Sequence, residues 1–150
     1  MLKNISPVIS PELLAVLNEM GHGDRICIGD GNFPGASMAD AEGAVLVRAD
    51  GHGVCELLDA ILQLIPLDEY VDTPAMIMQV VPADVEKGLK VPIIDEYKKI
   101  VAKYDERGAK AFGEYERFEF YEHAKRCYCI LQTGETSVYA NIILQKGVVK

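Results

Sequence analysis

The sequence predicts an α/β fold, in a single compact domain of alternating helices and strands. First, segments with helical spacing of apolar residues alternate with short apolar runs that are typical of strands. Second, glycine and proline separate these segments. Third, no repeat, linker or low-complexity stretch divides the 150 residues, a length that suits one domain with one core. One α/β domain is therefore the economical interpretation.

The first predicted helix has signals at both ends. Ser10 suits the N-cap, Pro11 suits the first helical position, and Gly21 lies just past the end. The apolar residues that share one face of this helix are Leu13, Leu14, Leu17 and Met20. The pattern therefore predicts an amphipathic helix that ends directly before His22.

The later elements follow from the same two periodicities. Apolar or alternating runs predict strands at residues 25–28, 44–47, 75–81, 127–132 and 141–145. Helical spacing predicts helices at residues 54–64, 93–104 and 118–125. Pro66 and Pro82 close two of these elements, and Gly108 and Gly113 are predicted to break the chain before the last helix.

The composition limits the class of partner. The chain has 23 Asp and Glu against 15 Lys and Arg, a formal net charge of −8. An acidic chain repels phosphate backbones, so we expect no nucleic-acid partner. No apolar run approaches the roughly 18 residues of a membrane span, and the N-terminal segment lacks the apolar stretch of a signal peptide. We therefore expect a soluble, cytoplasmic protein with no membrane partner.

The four cysteines lie in apolar surroundings and form no C-x-x-C pair. This arrangement predicts reduced core thiols rather than a zinc or redox motif. Cys127 and Cys129 alternate with Tyr128 in a predicted strand, so their side chains are expected on the same side of it.

Two chemically active residues lie on glycine-broken loops that flank the predicted strand at 25–28. His22 stands between two glycines, and Asp30 follows Gly29. An imidazole exchanges protons near neutral pH, because its ordinary pKa is about 6.5, and a carboxylate accepts hydrogen bonds from adjacent hydroxyls. From the residues alone, an exposed loop histidine and an Asx-turn aspartate explain the pattern equally simply.

Four separated blocks resemble, in the same order, the fucose mutarotase and ribose pyranase family. They are residues 1–34, 47–51, 117–122 and 133–142, and they include MGHGD at 20–24, DGNFP at 30–34 and YAN at 139–141. The DGNFP segment favours the fucose branch. Residues 66–113 carry no motif of this kind.

The resemblance implies a mutarotase/pyranase-like fold and a cofactor-independent isomerase that interconverts the α and β anomers of L-fucose by ring opening and closure. In the family pattern His22 is the acid/base residue. The implied substrate-binding residues are Asp30, Arg117, Tyr139, Ala140 and Asn141. Ala140 replaces a commoner glycine, and this change would be strained if the backbone there had a positive φ. The family also implies a homo-oligomer, a decameric ring with a pocket completed by a neighbouring chain.

Selection for the fucose methyl group calls for an apolar wall, for which the candidates are Phe33, Met38 and Tyr121. Arg117 is expected to position hydroxyls, because its guanidinium keeps its proton; a surface ion pair with a nearby glutamate is the plain alternative.

Three other functions fit parts of the sequence. Ribose pyranase activity, which interconverts pyranose and furanose rings, is the nearest, and a non-catalytic sugar-binding module is the second. The third is a metal-dependent hydrolase with ligands from His22, Asp24, Asp30 and His52, whose spacing follows no metal-site pattern. The glycine pairs lack the third glycine of a dinucleotide site, so we expect neither a metal nor a nucleotide cofactor.

Overall fold

The computed structural model describes residues 1–150, and its centre is a six-stranded mixed sheet. The strands are β1 (Arg25–Gly29), β2 (Val45–Ala49), β3 (Ala75–Met78), β4 (Phe112–Tyr115), β5 (Cys129–Thr133) and β6 (Ile142–Gln145). Their spatial order is β2-β5-β1-β6-β3-β4. Strand β6 is antiparallel to its neighbours β1 and β3, and the other paired strands are parallel. The predicted α/β class is confirmed.

Six α-helices cover both faces of the sheet. They are α1 (Pro11–Glu19), α2 (Gly35–Glu42), α3 (Val54–Leu62), α4 (Pro82–Glu86), α5 (Ile93–Ala102) and α6 (Arg117–Lys125), with a 3₁₀ helix at Gly108–Ala111. Residues from α1, α3 and α5 form the larger core cluster on one face, and residues from α2 and α6 form a smaller cluster on the other. Strand β1 contributes to both, because alternate side chains point to opposite faces. None of the helices is long and apolar enough to cross a bilayer.

Helix α1 begins where the sequence predicts. The Ser10 hydroxyl accepts a hydrogen bond from the Leu13 amide at 3.1 Å, and Pro11 occupies the first turn. Leu13 and Leu17 are buried on the shared face. The cap therefore satisfies one of the free amides at the helix start, as its residue type predicts.

Helix α2, helix α4 and strand β4 were not predicted. Helix α2 begins at Gly35, where a Cβ would lie 2.3 Å from the Gln132 side-chain oxygen, and β4 contains Gly113, where a Cβ would lie 2.7 Å from the Met76 sulfur. The expectation that Gly113 breaks the chain was wrong, because this glycine permits close packing inside a strand.

The cysteine thiols are all free, as expected. However, Cys127 packs in the smaller core cluster and Cys129 in the larger one, so the prediction of a shared side was wrong. Strand β5 begins only at Cys129, and the preceding turn after α6 interrupts the alternation. Burial raises the pKa of both thiols to about 12, which keeps them protonated at neutral pH.

Candidate active site

A pocket of about 230 Å³ opens at the edge of the sheet where β1 and β3 end. Because β6 is antiparallel to both strands, the residues that precede it reach the same edge. The lining residues are Asp30, Asn32, Phe33, Met78, Arg117, Tyr121, Val138, Tyr139 and Asn141. The structure therefore brings together four predicted site residues that are far apart in the sequence.

Asp30 follows β1 directly and is only 5% exposed. One carboxylate oxygen accepts a hydrogen bond from the Asn32 amide at 3.0 Å, and the other accepts one from the Ala140 amide at 3.3 Å. Burial raises the Asp30 pKa above its ordinary value, although the backbone amides counteract this effect. The first bond is an Asx-turn, so the simple structural role and a position in the pocket lining coexist in one side chain.

Asn141 provides a donor beside this acceptor. Its side-chain oxygen accepts a hydrogen bond from the Asp30 amide at 2.8 Å, which fixes the orientation of the Asn141 amide. Its NH₂ group makes no hydrogen bond within the chain, and Asn141 lines the pocket. A carboxylate beside an amide donor matches neighbouring hydroxyl groups, each of which can donate and accept.

Arg117 is the first residue of α6 and makes no ion pair, so the expected alternative of a surface pair with a glutamate is absent. Its guanidinium lies 5.7 Å from the Tyr121 ring centroid and 5.6 Å from that of Phe118. A cation at a helix N-terminus is unfavourable by about 0.3–1 kcal/mol. The unpaired charge at the pocket rim therefore favours a role in ligand binding over a role in stabilising helix α6.

Tyr139 has the left-handed backbone in the YAN segment, with φ 56°, whereas Ala140 has no positive φ. The methyl group of Ala140 is therefore unstrained. Ala140 is fully buried; its amide donates to Asp30, and its carbonyl accepts a hydrogen bond from the Tyr97 hydroxyl at 2.7 Å. The structure places Ala140 behind the pocket, where it supports Asp30, and places the Tyr139 side chain in the pocket wall.

The apolar part of the wall differs in part from the prediction. Phe33 and Tyr121 line the pocket, with ring centroids 5.9 Å apart. Met38 instead packs against the smaller core cluster. Met78 and Val138 line the pocket and were missed, because an apolar residue at the end of a strand is indistinguishable in sequence from a core residue.

His22 lies at the opposite end of β1 from this pocket. The strand spans four residue steps of about 3.3 Å, or roughly 13 Å, between them. The imidazole is 46% exposed, and its Nε2 contacts the Asp68 carboxylate at 3.0 Å. Its ring centroid lies 5.4 Å from that of Tyr70. Within one chain, His22 and Asp30 therefore belong to different surfaces.

Asp68 is the principal residue that the sequence interpretation missed. It is 2% exposed, and it also accepts hydrogen bonds from the Tyr70 amide at 3.0 Å and the Gln145 side chain at 2.8 Å. Burial would raise the Asp68 pKa, but these hydrogen bonds and the one from His22 outweigh it and lower the pKa. An ionised Asp68 orients the imidazole through its Nε2 and leaves Nδ1 without a partner in the chain.

Arg107 holds the loop that carries Asp68. Its guanidinium donates to the backbone carbonyls of Asp68 at 3.0 Å and Val71 at 2.8 Å, and it also pairs with Asp105 at 2.8 Å. Residues 66–113, which carry no recognised motif, therefore supply the support for His22. No local sequence pattern marks either Asp68 or Arg107.

The four residues considered as metal ligands do not meet. His22 contacts Asp68, His52 contacts Glu56 at 2.8 Å, and Asp24 accepts a hydrogen bond from the Gly21 amide. The structure contains no group of three or more His, Cys, Asp or Glu side chains arranged to hold an ion.

Comparison with known proteins yields consistent matches over almost the whole chain. A model of the RbsD / FucU transport protein family matches residues 3–149. The chain is 47% identical over 147 residues to the fucose mutarotase of Homo sapiens, covering 98% of this chain and 94% of that protein. It is similar to the crystal structure of FucU from Bifidobacterium longum, with 53% identity, TM-score 0.93 and coverage of 97% and 99%. It is also similar to the fucose mutarotase of Streptococcus pneumoniae in complex with L-fucose, with 46% identity, TM-score 0.89 and coverage of 99% and 100%.

Proposed function

The chain belongs to the RbsD / FucU family, and on this premise we propose that it is an L-fucose mutarotase, an isomerase that needs no cofactor. The pocket at the end of β1 carries the proposal. It combines a buried carboxylate, a free amide donor and an unpaired guanidinium in about 230 Å³, in a chain that is similar to a protein with L-fucose bound.

The reaction requires two proton transfers in each direction. A base removes the proton of the anomeric hydroxyl while an acid protonates the ring oxygen, so that the ring C–O bond breaks and the open aldehyde forms. After the aldehyde presents its other face, the reverse transfers close the ring as the other anomer. His22 suits the role of the acid/base residue, because imidazole both accepts and donates a proton near neutral pH. Asp30, Arg117, Tyr139 and Asn141 hold the pyranose, while Asp68 orients the imidazole.

The separation of His22 from the pocket supports a site shared between subunits. We propose a homo-oligomer, a decameric ring, in which the exposed imidazole of one subunit faces the Asp30 pocket of a neighbour. The arrangement accounts for an Asp68-bound histidine whose second nitrogen is free at the surface. Four unpaired thiols are consistent with the reducing cytoplasm as the location.

Saturation-transfer proton NMR on L-fucose tests the function. When the signal of one anomeric proton is irradiated, its saturation is expected to transfer to the other anomer in the presence of the protein. The His22→Ala variant is expected to lose this transfer while it still binds L-fucose. His52→Ala is the matched control, because His52 is an exposed histidine that contacts only Glu56. Exchange on D-ribose but not on L-fucose would contradict the proposal and indicate a ribose pyranase. Binding without exchange on either sugar would indicate a non-catalytic sugar-binding module.

Mixed oligomers test the shared site. His22→Ala and Asp30→Asn subunits are each expected to be inactive alone. Subunits unfolded and refolded together are expected to regain exchange, because some interfaces then pair an intact His22 with an intact Asp30 pocket. Recovery no greater than the sum of the separate variants would contradict a site shared between subunits.

A further inference from the structure

The Tyr139 hydroxyl has a defined partner outside the pocket lining. It donates to the Asp84 carboxylate at 2.6 Å, a short distance typical of a hydroxyl donor on a charged acceptor. Asp84 lies on α4, a helix with no buried residue. No other side-chain hydrogen bond or ion pair joins α4 to the rest of the chain, since the contact of Asp84 with Lys87 at 3.9 Å is within the same segment.

This bond determines how the phenol faces a ligand. A phenol has one proton to donate and an oxygen that also accepts. Because the proton of Tyr139 is directed at Asp84, the phenol oxygen can meet a ligand only as an acceptor. Asn141 and Arg117 present donors to the same space, so the pocket has a fixed pattern of donors and acceptors.

We propose that Asp84 is a positioning residue of the sugar site, which holds the Tyr139 phenol as an acceptor for one hydroxyl of the bound sugar. The left-handed backbone of Tyr139 adds to the need for such a partner, because a non-glycine residue at φ 56° persists only where surrounding contacts hold it. The inference rests on the proposed function, since it assigns the polarity of one contact in that pocket.

A double-mutant cycle tests the proposal. L-fucose exchange is measured against sugar concentration for wild type, Asp84→Ala, Tyr139→Phe and the double variant. Asp84→Ala is expected to raise the half-saturating concentration about 3- to 10-fold, the range for one hydrogen bond, with a smaller effect on the saturating rate. In the Tyr139→Phe background the same change is expected to have less than about a twofold effect, because no hydroxyl remains to position.

Glu86→Ala is the matched control, since Glu86 is an exposed carboxylate on the same helix with no partner. It is expected to leave the half-saturating concentration unchanged. Asp84→Asn removes the charge but preserves the side-chain shape, so it separates the loss of the carboxylate from local unfolding of α4.

Monofluorinated L-fucoses supply a readout that a purely structural role would not change. Fluorine cannot donate a hydrogen bond, so wild type is expected to bind the analogue fluorinated at one of C2, C3 or C4 much more weakly than L-fucose. Asp84→Ala is expected to reduce this discrimination, because the released phenol can then donate.

The outcomes separate the two proposals. If wild type exchanges L-fucose but Asp84→Ala raises the half-saturating concentration by the same factor with and without the Tyr139 hydroxyl, the role of Asp84 is only structural and the inference is overturned. If wild type binds L-fucose without exchange, the proposed function fails, and the same cycle in dissociation constants decides the role of Asp84. If L-fucose does not bind, both proposals fail.

Discussion

Removing the charge of Asp68 tests whether this carboxylate contributes to proton transfer by His22. Asp68→Asn preserves the shape of a buried side chain that contacts the Tyr70 amide, Gln145 and His22. The amide oxygen can still accept from His22, and the NH₂ group can face Gln145 if that side chain turns over. The substitution therefore removes mainly the charge.

The structure sets the size of the expected effect. At the 3.0 Å separation of His22 and Asp68, a unit-charge pair is worth about 1.4 kcal/mol at the dielectric constant of water, the appropriate limit for an imidazole that is 46% exposed. This energy is gained in the transition state, as positive charge develops on the imidazole during proton transfer. Its loss is expected to lower the saturating exchange rate about tenfold.

The assay is saturation-transfer NMR on L-fucose at several concentrations, with binding measured in parallel. Affinity is expected to stay within about twofold, because Asp68 contacts the His22 imidazole and is not part of the pocket lining that holds the sugar. Asp50→Asn is the control, since Asp50 is an exposed carboxylate that pairs only with Arg48. An exchange rate within twofold of wild type, or a large loss of affinity at an unchanged rate, would refute this account of Asp68.

Three further predictions concern the pocket and its packing. Because burial raises the folded-state pKa of Asp30, ionisation of this carboxyl costs stability as pH rises from the unfolded value near 3.8 through the folded value. In urea unfolding, the free energy of unfolding of Asp30→Asn relative to wild type is therefore expected to be higher at pH 7 than at pH 4. An equal difference between the two proteins at both pH values would contradict this. Gly35→Ala is expected to lower the unfolding free energy by about 1–3 kcal/mol, because its Cβ would displace the buried Gln132 side chain, which is held by a hydrogen bond to the Asp30 carbonyl at 2.7 Å. Gly51→Ala, with open space around it, should be near neutral in the same urea unfolding experiment. Arg117→Lys keeps the charge but loses the planar fork, so it is expected to raise the half-saturating L-fucose concentration several-fold at a similar saturating rate, and an unchanged concentration would exclude Arg117 from sugar binding.

Local patterns predicted the elements that have strong local causes. Ser10 caps α1 and Pro11 opens it, because capping and φ restriction act within one turn. The apolar runs at β1 and β3 and the apolar face of α3 are likewise short-range features, and all lie within a few residues of their predicted positions. Helix α4 was missed because it buries no residue and so leaves no periodic apolar signal.

By itself, the sequence determined the α/β class, most of the helices and strands, and, through the resemblance of four blocks, the residues that converge on the pocket. Only the tertiary structure decided that β6 runs antiparallel between β1 and β3, which brings Asn141 beside Asp30 and leaves His22 at the other edge. The same holds for Asp68, which meets His22 across 46 positions of the chain, and for Asp84, which meets Tyr139 across 55. Capping and periodicity act over about four residues, whereas these pairs depend on which strands become neighbours. The strand order depends in turn on packing of the whole core.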